Sequence, residues 1–163
     1  MVPVMRLVLP RPAHVLRPAQ MLPASLLEAI VATVSTRVLR DRIADGALDP
    51  LGGRVIRIVV RDPDVSVRLT LRDGRIVPAP PGQDAAATVT AFAEDLVQVM
   101  AQRVDPDTLF FHRRLGVQGD TALGLAVKNV LDSVDPAELP TPVTELLRQA
   151  ADHVPGATSR ESG

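Results

Sequence analysis

Between Pro23 and Gly46 the apolar residues recur at steps of three and four: Leu26, Leu27, Ile30, Val31, Val34, Val38, Leu39 and Ile43. That spacing predicts one amphipathic helix, with Pro23 suited to open it and Gly46 to close it. Arg37, Arg40, Asp41, Arg42 and Asp45 crowd its last turns as a solvated face. After Gly53 the period changes to two. Over residues 54–62, Ile56, Ile58 and Val60 alternate with Arg57, Val59 and Arg61. Over 65–72, Val65, Val67, Leu69 and Leu71 alternate with Ser66, Arg68, Thr70 and Arg72. Asp62-Pro63-Asp64 signals a turn between them, and Asp73-Gly74 is a two-residue hairpin turn into a third strand over 75–77. These segments read as an antiparallel meander with one wet face.

The loop over 79–84 leads to a fourth strand over 86–92. The spacing of Leu96, Val97, Val99 and Met100 predicts a helix over 94–103. Asp105 with Pro106 after it forms an N-cap and first helical position for a short turn carrying Leu109, Phe110 and Phe111. A fifth strand fits 115–119. Asp120 then caps a helix over 121–134, in which Leu123, Val127, Val130, Leu131 and Val134 share a face. Pro140 and Pro142 interrupt before a last amphipathic stretch over 143–154. No internal repeat is present. Helix, strands, helix, strand, helix is the order of an α+β domain, with helices packed over one face of a mainly antiparallel sheet. The chain divides into a leader (1–22), the domain (23–154) and a small, polar tail (155–163) expected to be disordered.

A length of 163 residues suits one domain with a single sizeable core. Only 2% of residues are aromatic, three Phe with no Trp or Tyr. Core or cavity walls are therefore Val, Leu, Ile and Ala, which suit an acyl or isoprenoid chain better than a flat polar ligand. The net charge of −1, from 18 basic and 19 acidic residues, does not support phosphate neutralisation along a nucleic acid. The absence of cysteine excludes thiol catalysis, disulfides and thiolate sites for zinc or iron–sulfur clusters. His14, His112 and His153 lack ligand spacing, so neither metal nor cofactor is expected. No apolar run reaches the ~20 residues of a membrane span. The first 23 residues hold Arg6, Arg11 and Arg17, no Asp or Glu, and five prolines. They read either as a leader lying over the domain or as a basic, apolar arm that touches anionic headgroups. The expected location is cytoplasmic, with peripheral contact at the inner membrane left open.

Catalytic patterns are missing. There is no Gly-x-Ser-x-Gly elbow and no Walker loop, and Gly52-Gly53 is too short for a dinucleotide fingerprint. The acid pairs Glu94/Asp95 and Asp105/Asp107 sit where helix N-termini favour negative charge. The densest segment is 105–129, where Phe110 and Phe111 precede His112-Arg113-Arg114 and then a capped helix. It reads as a core plug followed by a basic surface. It also reads as the mouth of an apolar cavity, with Phe110 and Phe111 on a bound chain and Arg113 or Arg114 on an anionic headgroup or a partner. Lys128 and Asn129 suit a solvated helix face or a polar contact, and spacing does not decide between them. Lipid-contact candidates on nearby apolar faces are Leu96, Met100, Phe110, Phe111, Leu123 and Val127.

The run DPDTLFFHRRLGVQGDTALGLAVKN is similar to the signature of the UbiT-like family within the sterol-carrier-protein-2 lipid-binding superfamily. Asp105, Pro106, Asp107, Thr108, Leu109, Phe110, Phe111, Arg113, Arg114 and Leu115 match its first half. Gly119, Asp120, Thr121, Leu123, Gly124, Leu125, Lys128 and Asn129 match its second. His112 and Gln118 depart from it, where the family has Gln and often Glu. The match is looser but keeps its order over 26–134. The resemblance implies a twisted sheet of about five strands with an apolar tunnel between sheet and helices. It implies a non-enzymatic accessory factor of oxygen-independent ubiquinone biosynthesis, holding polyprenylated quinone intermediates or membrane lipids. Its implied partners are UbiU- and UbiV-like iron–sulfur proteins, to which the chemistry would belong. A general phospholipid or fatty-acid carrier, and a protein-interaction module without ligand, are the alternatives.

Overall fold

The period-two segments form the centre of a five-stranded sheet in the computed structural model, which describes residues 17–62 and 64–152. The strands are β1 (Val55–Arg61), β2 (Val65–Arg72), β3 (Arg75–Pro78), β4 (Ala85–Phe92) and β5 (Leu115–Gly119). Their spatial order is β3-β2-β1-β4-β5. The meander β1-β2-β3 is antiparallel, as is β4-β5, while β1 and β4 run parallel. The sheet is thus mainly antiparallel and mixed. Asp73 (φ 50) and Gly74 (φ 70) make the tight turn that the Asp-Gly pair predicts, with positive φ at both central positions. Pro63 lies outside the described residues.

The helices are α1 (Ala24–Val38), α2 (Arg40–Ala44), α3 (Ala93–Met100), α4 (Pro106–Phe111), α5 (Thr121–Ser133) and α6 (Thr141–Asp152). One predicted helix is therefore two: the 23–46 pattern breaks at Leu39 (φ −99, ψ 16), and Leu39 and Ile43 both pack against the core. Gly46 (φ 82) still closes the pair, its N–H reaching Ile43 O while Ala47 N–H reaches Arg42 O. The predicted 94–103 helix stops at Met100, because Gln102 adopts φ 56 and Arg103 N–H bonds back to Gln98 O. Arg113 (φ 57) ends α4 the same way. Both are left-handed caps without the glycine that normally signals one. The caps at Asp105 and Asp120 form as expected, accepting from Asp107 N at 2.9 Å and Leu123 N at 2.8 Å. Helix α6 starts at Thr141, ahead of Pro142, because a proline's missing N–H costs nothing in a first turn. The leader is described only from Arg17, as a 3-10 turn whose Gln20 side chain donates to Asp64 O. The tail expectation lies outside the described residues.

Ile56, Val67, Leu69, Ile76, Ala87, Val89 and Ala91 form the buried face of the sheet. Against it pack Ala32 of α1, Leu109 of α4, and Leu123 and Val130 of α5. Helix α1 also closes one edge of the sheet. The Thr36 hydroxyl accepts from Ile76 N (2.9 Å) and donates to Ile76 O (3.1 Å), and Glu28 Oε1 accepts from Arg68 N (3.0 Å). These side chains satisfy strand groups that would otherwise offer a pairing template. At the other edge, Gly124 lets α5 settle on β5: a Cβ there would overlap Val117 Cγ1. Gly124→Ala is therefore expected to destabilise by about 1–2 kcal/mol, overpacking outweighing the gain in helix propensity. Urea unfolding measures it; a more stable variant would show that Val117 yields freely.

Candidate functional site

Two of the grooves on the described surface bear on a ligand site. The larger, about 1010 Å³, runs between α1–α2 and β3. It exists because α1 presents small residues toward β3 at helical spacing: Ala29, Ala32, Thr33 and Thr36. No long side chain fills the junction, so Ile76, Val77 and Pro78 form an apolar floor. Arg37, Arg40 and Arg75 stand at its rim with Asp41 and Glu138. A groove with this apolar floor and three arginines among its polar walls can hold a hydrocarbon chain and an anionic end together. None of the lipid-contact or headgroup candidates chosen from sequence lines this groove. Its signal was the stripe of Ala and Thr on α1, which periodicity of large apolar residues does not register.

The smaller groove, about 360 Å³, lies between α4 and β5 and is lined by Phe110, Phe111, Arg113, Leu115, Gly116 and Val117. Phe110 is 47% exposed and Phe111 82%, with ring centroids 6.4 Å apart edge to face. Of the expected lipid contacts, only these two meet at an open surface. Leu123 is 0% exposed, at the centre of the core. Leu96 and Val127 are half-buried against that core, and Met100 is half-buried near the end of α3. The core-plug reading of Phe110 and Phe111 does not hold for this surface pair; Leu109 is the residue of that turn that enters the core.

The two arginines considered for a headgroup have different fates. Arg114 is committed: its Nε donates to Asp95 at 2.8 and 2.9 Å, and its Nη2 donates to Glu94 Oε1 at 2.6 Å. Its guanidinium also lies 5.0 Å from the centroid of Phe92, with Arg61 at 6.0 Å from the same ring. Burial pushes the Asp95 carboxyl above its usual range, opposed by the Arg114 hydrogen bond and charge. The hydrogen bond to Asp95 raises the Arg114 guanidinium in turn. Glu94 and Asp95 do open a helix, but they also clamp this arginine. Arg113 is exposed and has no ion pair among the described residues. Lys128 is not simply solvated: it pairs with Asp107 and ties α5 to α4, while Asn129 is exposed. The Asp120 carboxyl is held below its usual range by Arg54, at 2.7 Å, and by the Leu123 N–H.

Among the described residues no cluster of three or more His, Asp or Glu could hold a metal ion. No described helix is long and apolar enough to cross a membrane.

The profile described as the SCP-2 sterol transfer family matches residues 33–132. The ubiquinone biosynthesis accessory factor UbiT of Escherichia coli strain K12 is 37% identical over 137 residues, covering 84% of this chain and 78% of its own. UbiT of Escherichia coli O157:H7 matches with the same figures. A solved structure described as the UbiJ-SCP2 ubiquinone synthesis protein superposes with a TM-score of 0.52 at 22% identity, over 66% of this chain and 94% of that one. That likeness establishes the fold.

Proposed function

The chain belongs to the SCP-2 sterol transfer family, and on that premise we propose that it binds lipid as a non-catalytic accessory factor of ubiquinone biosynthesis. The observation that carries this reading is the groove between α1 and β3 in a chain 37% identical to such a factor. The finer reading is that it holds polyprenylated ring intermediates, or membrane lipids, and presents them to oxygen-independent hydroxylating partners of the UbiU and UbiV kind. A chain without cysteine leaves the iron–sulfur chemistry to such partners.

Burying a prenyl tail gains about 25 cal/mol per Å² of apolar surface removed from water. A bilayer offers the same gain, so a carrier exchanges ligand with the membrane near balance. The larger groove supports this use directly: its floor takes the tail, and Arg37, Arg40 and Arg75 take a carboxylate or phosphate end. Leu96, Leu123 and Val127 touch a ligand only where α3 and α5 part from the sheet. Met100 stands at the margin of that space, and Phe110, Phe111 and Arg113 offer contacts at the smaller groove without rearrangement. Arg114 serves by holding α3 to the start of β5. Within this reading residues 1–22 carry the approach to the bilayer, 23–154 the lipid domain and 155–163 a tail.

Native mass spectrometry and organic extraction of the purified protein test the proposal. Co-purified lipid is expected, with a prenylated phenol and a phospholipid separated by mass. Thr33→Trp, which fills the groove from an exposed position, is expected to cut lipid content several-fold at unchanged circular dichroism. Protein that carries no lipid and takes up none from liposomes overturns it.

A further inference from the structure

The two edges of the sheet are treated differently. Edge β3 is closed by Thr36 of α1 at Ile76, and Glu28 takes the Arg68 N–H of β2 beside it. Among the described residues edge β5 has no such cover. Asp120 N–H donates to Ala86 O at 2.8 Å, and β5 pairs with β4 in the register Ala87↔Gly119 and Val89↔Val117. In an antiparallel ladder the main chain faces the neighbour at every second residue. Gly116 and Gln118 therefore face β4, and the N–H and C=O groups of Leu115, Val117 and Gly119 face away. They have no hydrogen-bond partner among the described residues. An uncovered edge is a pairing template that folded proteins normally protect. Here it is instead flanked by the most exposed aromatic ring of the chain, Phe111, and by a groove about 360 Å³ in volume.

We propose that the β5 edge is a dimer interface, pairing antiparallel with β5 of a second copy about a two-fold axis through Val117. In that register Val117 faces Val117, whose outward N–H and C=O groups exchange both bonds, and Leu115 faces Gly119, where a φ of 88 turns the strand at its end. Phe110 and Phe111 lie against the incoming strand. No like charges are set face to face: Arg113, which has no ion pair among the described residues, arrives beside Asp120 at the start of α5. Because edge β3 is already closed, pairing through β5 stops at two copies rather than growing into a fibre.

Other occupants fit less well. Residues 1–16 contain no Asp or Glu to meet Arg113, and Pro3, Pro10 and Pro12 cannot donate to a ladder. A bilayer surface satisfies hydrophobic rings but not a row of main-chain groups.

Sedimentation velocity of the full chain at micromolar concentration tests the proposal. A dimer is expected. Val117→Pro removes an N–H that faces away from β4, so it blocks the second strand without costing an intrachain bond. Phe111→Asp alters a ring that is already solvent-exposed. Each is expected to raise the dimer dissociation constant about 100-fold, as loss of a central anchor does. Far-UV circular dichroism should stay unchanged. A monomeric wild type, or a Val117→Pro protein that still dimerises, overturns the inference. Should Val117→Pro lose its fold, Phe111→Asp decides alone, and persistence of the dimer overturns it. Loss of lipid from Phe111→Asp with the dimer intact also overturns it, since the groove would then be a ligand surface. Lipid-free but dimeric wild type defeats the lipid reading and leaves this one standing.

Discussion

Leu123→Ala is expected to lower the free energy of unfolding by about 3–4 kcal/mol. Leu123 is 0% exposed and is the largest side chain that α5 sends fully into the core. Its N–H is fixed by Asp120, and the neighbouring Gly124 is wedged on Val117, so α5 cannot slide in to fill the space. A cavity is left, and its cost adds to the lost transfer energy. At about 2–4 °C per kcal/mol the midpoint of thermal unfolding should fall by roughly 10 °C. Calorimetry on delipidated protein measures it. The same experiment bears on Leu123 as a lipid contact. A side chain lining open space has fewer contacts to lose, so a cost below about 1.5 kcal/mol would place it on a tunnel wall.

Arg114→Ala should cost nearly as much at neutral pH, and its loss should depend on pH with a definite sign. Asp95 is 7% exposed and its carboxylate relies on the guanidinium. Stranding one member of a buried pair costs about 3–5 kcal/mol, here at the low end because the Arg114 side chain is 41% exposed to water. Asp95 already titrates above its ordinary 3.8, chiefly through burial. Removing Arg114 removes the hydrogen bond and charge that oppose the burial, so the folded-state value rises further. A carboxyl raised in the folded state binds its proton more tightly there than in the unfolded chain. The penalty for ionising it is absent below the unfolded value, grows as pH rises through the window between the two values, and is complete above the folded value. The stability gap between wild type and Arg114→Ala should therefore narrow as pH falls. Asp120, whose depressed value acts in the opposite direction, is common to both proteins and cancels. Urea unfolding at neutral pH and at about pH 4 measures the gap. An equal gap at both would assign the loss to packing on Phe92 instead.

Much of the fold was legible because it is written at short range. Strand β5 falls on the expected residues, Asp73-Gly74 turns as its type requires, and Asp105 and Asp120 cap the helices they precede. The signature segment also pointed to the right superfamily. What periodicity could not convey was which way a pattern breaks. Leu39 interrupts an unbroken helical spacing because its own burial and that of Ile43 outweigh continuity. Gln102 and Arg113 end helices in a conformation that favours glycine, so nothing in their identity announced it. The arrangement of Glu94, Asp95 and Arg114 shows the same limit. Helix-start acids and a basic run were each visible, yet only the return of the chain into β5 brought them within hydrogen-bond distance.

By itself, the sequence determined the elements, the hairpin, the caps and the apolar faces, because backbone geometry and side-chain period act over a few residues. Tertiary structure alone decided that β4 lies parallel to β1, that among the described residues one sheet edge is covered and the other open, and that a row of small residues on α1 leaves a trough beside β3. Those outcomes depend on which distant surfaces meet, and the energy of that meeting is not carried by any local pattern.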